Sequence, residues 1–174
     1  MKVKLKNEIL KEHSKSNTTH VAKMINGDEN LFQDLLEIFF DYNEMDVARK
    51  AAWVVRECVS FHPFLINAYI PKLISYVQRN HLHPAIKRNI MAILEKTEIP
   101  AYLTGKLTEI CFQIIASGQE SIAVKAYAMG IMSGIVEKHP DLKHELRLLI
   151  MDVYPYESKG FQSRARKILE NHPG

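Results

Sequence analysis

The fold is decided by the stretch Val47-Ala48-Arg49-Lys50-Ala51-Ala52-Trp53-Val54, because a similar pattern recurs three more times along the chain. The later copies occupy residues 84–91, 122–129 and 161–168, and each carries a base at the same place. These bases, which we call the basic ladder, follow one another at spacings of 37, 38 and 39 residues: Lys50, Lys87, Lys125 and Arg164. Two antiparallel helices repeated at this period, each pair burying its apolar face against its neighbours, predict a helical solenoid.

Helical spacing of apolar residues extends through the rest of the chain, for example in residues 107–115 and 142–153. Prolines follow several of these segments, as expected where a helix stops, and Asn26-Gly27 has the composition of a helix C-cap. N-caps or first-turn acids are expected at Asn17, Asp28, Asp46 and Asp141. The sequence therefore predicts an all-α protein of about ten helices, near residues 4–14, 17–26, 29–41, 45–61, 70–80, 84–97, 103–117, 120–138, 141–153 and 160–171.

The chain has 174 residues, which suits a single compact domain over residues 1–174. We expect N-terminal helices in 1–44, then helix-pair repeats at 45–82, 83–119 and 120–158. Residues 159–174 are expected to form a capping helix, because a terminal repeat faces water on its outer side. The apolar residues that would form its single buried face are Phe161, Ala165, Ile168 and Leu169.

The repeats are similar to a known family. Residues 46–53 resemble the first helix of a HEAT repeat, with an acid, a base and a pair of small residues, and Ile70-Pro71-Lys72-Leu73 resembles the start of its second helix. This resemblance to HEAT and armadillo repeats implies a right-handed α–α superhelix. The chain also resembles short bacterial HEAT-like proteins that are sometimes labelled adenylosuccinate lyase. No lyase signature loop is present in the sequence, so the label implies no activity here.

Composition narrows the class of protein further. Hydrophobic residues make up 47% and charged residues 25%, which excludes a disordered chain, and the formal net charge of +3 is too small to imply a nucleic acid or an acidic membrane surface. Cys58 and Cys111 lie inside apolar helical stretches, so they are expected as core thiols in a reducing cytoplasm. We expect no signal peptide and no membrane span, because no apolar run is long enough.

The basic ladder is the candidate binding site. Equivalent positions of a solenoid line one surface, so four bases could form a stripe for phosphates or an acidic partner. The alternative, which we favour, is structural, because in HEAT-like repeats this base binds an acid or carbonyl groups of a neighbouring turn. Asp46 and Glu120 precede Lys50 and Lys125 closely and are the expected partners.

No other group of residues in the sequence indicates a metal, cofactor or catalytic site. His81 and His83, with His139 and His144, could offer imidazoles to a metal, but no cysteine or carboxylate cluster completes four ligands. The chain contains no nucleophile motif, phosphate loop or dinucleotide fingerprint, so we expect no cofactor, no metal and no enzyme activity.

Three further residues are expected to serve packing. Gly130 and Gly134 should allow close approach of two helices, because neither carries a side chain. Trp53 is the only tryptophan and is expected in the core.

The expected function is a non-catalytic scaffold whose concave side, formed by the second helices, binds a protein partner. Two alternatives remain open. The protein could bind nucleic acid or repair alkylated bases, as some HEAT-like proteins do, or it could be an accessory subunit of an enzyme complex.

Overall fold

The computed structural model describes residues 1–79 and 81–173. Within these residues the chain is all-α and contains no strand, which confirms the predicted fold class. The ten α-helices are α1 Lys2–Lys11, α2 Lys15–Ile25, α3 Glu29–Phe39, α4 Met45–Phe61, α5 Ile70–Val77, α6 Pro84–Glu95, α7 Ala101–Ala116, α8 Ile122–Lys138, α9 Lys143–Val153 and α10 Lys159–Asn171. Short 3-10 helices at Tyr42–Glu44, Pro63–Tyr69, Pro140–Leu142 and Tyr154–Tyr156 lie in four of the connections.

Helix boundaries follow the capping chemistry of the sequence. Asp28 caps α3, where its carboxylate accepts hydrogen bonds from the backbone N–H groups of Asn30 and Leu31. Asn26 ends α2 in the left-handed conformation at φ 44°, and Gly27 follows at φ 79°, which confirms the predicted C-cap. The expectation for Asn17 is wrong, because α2 begins earlier. Its cap is Ser14, whose hydroxyl accepts a hydrogen bond from the Asn17 N–H.

Two compact units make up the chain, Met1–Ile93 and Leu94–Gly174. In the first unit, α4 packs against α1, α2 and α3. The apolar face that this creates is buried almost completely and includes Ile9, Val21, Ile25, Phe32, Leu35, Phe39, Ala51 and Val55. Burying a large aliphatic or aromatic side chain contributes about 1.5–3 kcal/mol, so this face supplies most of the driving force for folding the unit.

In the second unit, α8 packs between α7 and α10, and α9 packs against α7. The core is formed by side chains from all these helices, among them Leu107, Cys111, Ile115, Met129, Met132, Ile150 and Phe161. Helix α10 contributes Phe161, Ala165 and Ile168, while Leu169 is half-buried. Gln162 and Arg164 are half-buried and bond to Tyr154 and Glu95, and the other side chains of the helix are exposed.

The two cysteines and the tryptophan lie in or near these cores. Cys58 and Cys111 are both buried free thiols, as expected. Burial raises the pKa of the Cys58 thiol to about 12 and also raises the pKa of Cys111. Trp53 differs from its expectation, because it is only half-buried and meets the ring of His13 edge-on, at 5.5 Å between centroids. None of the described helices is both long enough and apolar enough to cross a bilayer.

Candidate functional site

The four residues of the basic ladder have different surroundings. Lys50 is half-buried on α4, and its ammonium makes no ion pair or hydrogen bond with the residues described. Asp46, its expected partner, lies 3.6 Å from Arg49 instead. Lys87 is half-buried on α6 and interacts with a neighbouring group.

Lys125 is the most buried of the four, with only 2% of its surface exposed. Its ammonium forms an ion pair with Glu157 and lies 5.7 Å from the centroid of the Phe161 ring. The expected partner was Glu120, so the prediction chose the wrong acid. Glu157 directly precedes Ser158, the N-cap of α10, and the pair therefore links the middle of the unit to the start of its last helix. A lysine so enclosed cannot reach a phosphate in solution.

Arg164 forms an ion pair with Glu95, the last residue of α6, with 2.8 Å between Nη2 and Oε1. The pair passes directly over Gly130 of α8. A Cβ at this position would lie 1.9 Å from the Glu95 Oε1 and 2.6 Å from the Arg164 Nη2. Gly130 therefore makes room for an ion pair, whereas the sequence suggested that it makes room for another helix.

Beside this ion pair lies an open hollow of about 270 Å³, which we call the glycine groove. Its floor is the face of α8 that carries Gly130 and Gly134, and its opposite wall is the end of α6 with the connection to α7. A Cβ on Gly134 would meet no atom within 4 Å, so the backbone of α8 is bare at that point. The groove lies on α8, which is the first helix of its predicted pair. The binding surface was expected on the side formed by the second helices.

Charged and apolar side chains share the lining of the groove. Three acidic residues line it: Glu95, Glu98 and Glu137. The lining also contains His139 and one lysine, Lys138, which is highly exposed and lies 3.5 Å from Glu98. Apolar contact surface comes from Leu94, Ile99, Ile131 and Ile135. The groove therefore offers both hydrogen-bond acceptors and a place for an aliphatic chain.

A serine and a histidine hydrogen-bond in the same unit, with 2.8 Å between the Ser133 Oγ and the His172 Nε2. Among the side chains that the structure describes, no carboxylate hydrogen-bonds to His172, so the pair lacks the acid that would orient a catalytic base. The hydrogen bond links the residue that follows α10 to helix α8.

The histidines that were considered for a metal site serve other roles or face water. His83 accepts a hydrogen bond at Nδ1 from the backbone N–H of Ala85, at 3.1 Å, and so caps the start of α6. His81 is exposed and has a left-handed backbone at φ 63°. Within the described residues, no three side chains of histidine, cysteine, aspartate or glutamate are grouped to hold a metal ion.

The comparison with protein families matches nearly the whole length of the chain. A family model described as HEAT repeat domain covers residues 5–172. The chain belongs to the HEAT repeat family. No curated protein and no solved structure matches it. HEAT repeats form helical scaffolds that commonly mediate protein interaction, and this membership assigns no catalytic chemistry to the chain.

Sequence reasoning missed the residues that shape the glycine groove. Glu95 and Arg164 are 69 positions apart, and nothing in the repeat pattern pairs them. The spacing of Gly130 and Gly134 was a usable signal, because it places two bare positions on one face of a helix. That signal indicates a gap but does not indicate what fills it.

Proposed function

We propose that this HEAT repeat protein is a non-catalytic scaffold that binds another protein, and that the glycine groove of the second unit is its binding site. The observation that carries the proposal is the open space above Gly134, where a helix exposes bare backbone beside a carboxylate that is only 13% exposed. A side chain from a partner can enter there without displacing any atom of the protein.

The cost of glycine in a helix supports this assignment. A glycine in a helix interior is less favourable than alanine by about 0.8–1.0 kcal/mol, and α8 carries two of them. At Gly130 the cost is offset by the Glu95–Arg164 ion pair, which needs the space. At Gly134 no contact within the unit uses the space, so the second glycine contributes only the depth of the groove.

The charges favour a protein over a nucleic acid. Three glutamates line the groove, and Lys138 and Arg164 balance two of them, so its net charge is negative and disfavours a phosphate backbone. Of the basic ladder, Lys125 and Arg164 already bind carboxylates within the second unit. We therefore infer that Lys125 and Arg164 have a structural role. We also place the protein in the cytoplasm, since two buried free thiols suit a reducing compartment.

The test compares capture of proteins from the native host by two variants. Gly134→Met should fill the groove, while Gly105→Met is the matched control, because Gly105 lies in the exposed face of α7 and also has no atom within 4 Å of its Cβ position. Both changes replace a helical glycine by a good helix former, so both should keep the fold.

We expect quantitative mass spectrometry to find a protein that the unmodified chain and Gly105→Met retain equally and that Gly134→Met loses by at least about tenfold. Partners whose capture is the same for all three chains would overturn the assignment of the groove.

A further inference from the structure

We propose that the glycine groove recognises a basic side chain, an arginine or a lysine, presented by a segment of the partner protein. This inference rests on the proposed function and adds the chemistry of the residue that enters.

The charge of the lining is opposite to that of the chain. The whole sequence carries a formal net charge of +3, yet the lining contains three glutamates and one lysine, with the Arg164 guanidinium bound to Glu95 beside it. That lysine, Lys138, already forms an ion pair with Glu98, with 3.5 Å between Nζ and Oε1. Because Lys138 pairs with Glu98 and Arg164 pairs with Glu95, one lining carboxylate, that of Glu137, has no ion-pair partner among the described residues. A cation entering the groove therefore meets a net negative charge, and partners with complementary charge are favoured both in encounter rate and in specificity.

Two of the carboxylates keep unused acceptors. Glu95 accepts the Arg164 guanidinium at Oε1, and no hydrogen bond among the described residues uses its Oε2. Glu137 makes no ion pair or hydrogen bond with the described residues and is exposed at the rim. A guanidinium or ammonium group can donate hydrogen bonds to the Glu95 Oε2 and to the Glu137 carboxylate. Hydrogen bonds between charged groups are stronger than those between neutral groups.

The shape of the groove suits one long side chain. A volume of about 270 Å³ is just below the roughly 300–1,000 Å³ of pockets that hold small molecules, so it takes a side chain and not a large cofactor. Ile99 and Ile131 provide apolar wall, against which the methylene stem of arginine or lysine can pack while its charged head reaches the carboxylates.

The test uses single blocked amino acids as probes and follows the backbone amides of the unmodified protein by NMR. Acetyl-arginine methylamide and acetyl-lysine methylamide carry the charge, and acetyl-norleucine methylamide has a similar stem without it. We expect saturable shifts at Gly130 and Gly134 with the two cations and none with norleucine. Gly134→Met should abolish these shifts, Gly105→Met should keep them, and Glu137→Gln should weaken binding about two- to fivefold.

Equal shifts with norleucine, or shifts that survive Gly134→Met, would overturn the inference. Its failure can be told apart from that of the proposed function. If Gly134→Met loses a partner protein but no cationic probe binds, the groove is an interface and its occupant is not basic. If the unmodified chain and Gly134→Met capture the same partner proteins equally, the proposed function itself is overturned.

Discussion

The two units differ in how the charged groups of a ladder lysine and of a glutamate are bound. In the first unit the ladder residue Lys50 has no ion-pair or hydrogen-bond partner among the described residues, while Glu57, seven positions later on α4, is held by Lys15 at 2.5 Å and Thr19 at 2.9 Å. In the second unit the ladder residue Lys125 is enclosed and paired with Glu157, and the carboxylate of Glu95 has one donor and faces a hollow.

This contrast shows that a recurring residue type does not carry a recurring role. A carboxylate held by two donors, as Glu57 is, has both oxygens bonded within the unit. A carboxylate with one donor beside bare helix backbone can still bind a new group. The comparison therefore predicts which positions affect folding and which affect binding.

The largest effect should come from breaking the enclosed pair. Lys125→Ala leaves the half-buried Glu157 carboxylate without its partner, and losing a hydrogen bond between charged groups costs about 1.5–3 kcal/mol. Urea denaturation should show this loss, and Lys87→Ala should also lower the melting temperature, because Lys87 has a partner. If Lys125→Ala were as stable as the unmodified chain, the contrast between the two ladder lysines would be wrong.

A smaller, pH-dependent effect is expected at Glu57. Burial acts to raise the pKa of this carboxyl, but hydrogen bonds from Lys15 and Thr19, with the charges of Lys15 and Arg56, lower it below its ordinary value. Because the folded state has the lower pKa, the charged carboxylate stabilises the protein at neutral pH, and this stability is lost as pH falls through the acidic range.

Glu57→Gln should therefore cost about 1 kcal/mol at pH 7, and the difference from the unmodified chain should shrink as the pH falls below about 4.5. Melting temperatures recorded from pH 7 to pH 3 measure this. Glu95→Gln serves as the comparison, and it should cost less, since Glu95 has one side-chain donor, Arg164, whereas Glu57 has two. A larger loss for Glu95→Gln would reverse the roles of the two carboxylates.

The two glycines of α8 should respond differently to alanine. Gly134→Ala adds a Cβ in open space and should stabilise the protein by about 0.5–1 kcal/mol. Gly130→Ala should gain nothing, because its Cβ displaces the Glu95–Arg164 ion pair. Thermal denaturation of both variants checks this, and an equal gain at both positions would mean that the ion pair contributes no stability.

The smallest effect is expected at Lys50. Its ammonium makes no ion pair or hydrogen bond with the described residues, so Lys50→Ala should change the free energy of unfolding by less than about 0.5 kcal/mol. A loss comparable to that of Lys125→Ala would show that both units use the ladder residue in the same way.

Much of the fold could be predicted from the sequence, because local chemistry decides it. The start of α3 follows from the carboxylate of Asp28, and the end of α2 follows from the left-handed Asn26-Gly27. The helices come from apolar spacing, which acts over three or four residues. Family membership over residues 5–172 agrees with this reading.

The candidate site could not be predicted in the same way. The acid that binds Lys125 lies 32 positions away, and a nearer acid, Glu120, was the wrong choice. The pairing of Glu95 with Arg164 depends on how the last residue of α6 and helix α10 come together over α8 within the second unit. Periodicity shows which residues share a face of one helix, but it does not show which atoms from distant helices meet over that face.

The central claim, that the second unit leaves a groove open for a partner protein, is tested most directly by the dissociation constant of a purified partner. The measurement is made by calorimetry with the unmodified chain, Gly134→Met and Gly105→Met at equal salt. The account predicts at least about tenfold weaker binding for Gly134→Met and no change for Gly105→Met. Equal dissociation constants for all three chains would contradict it.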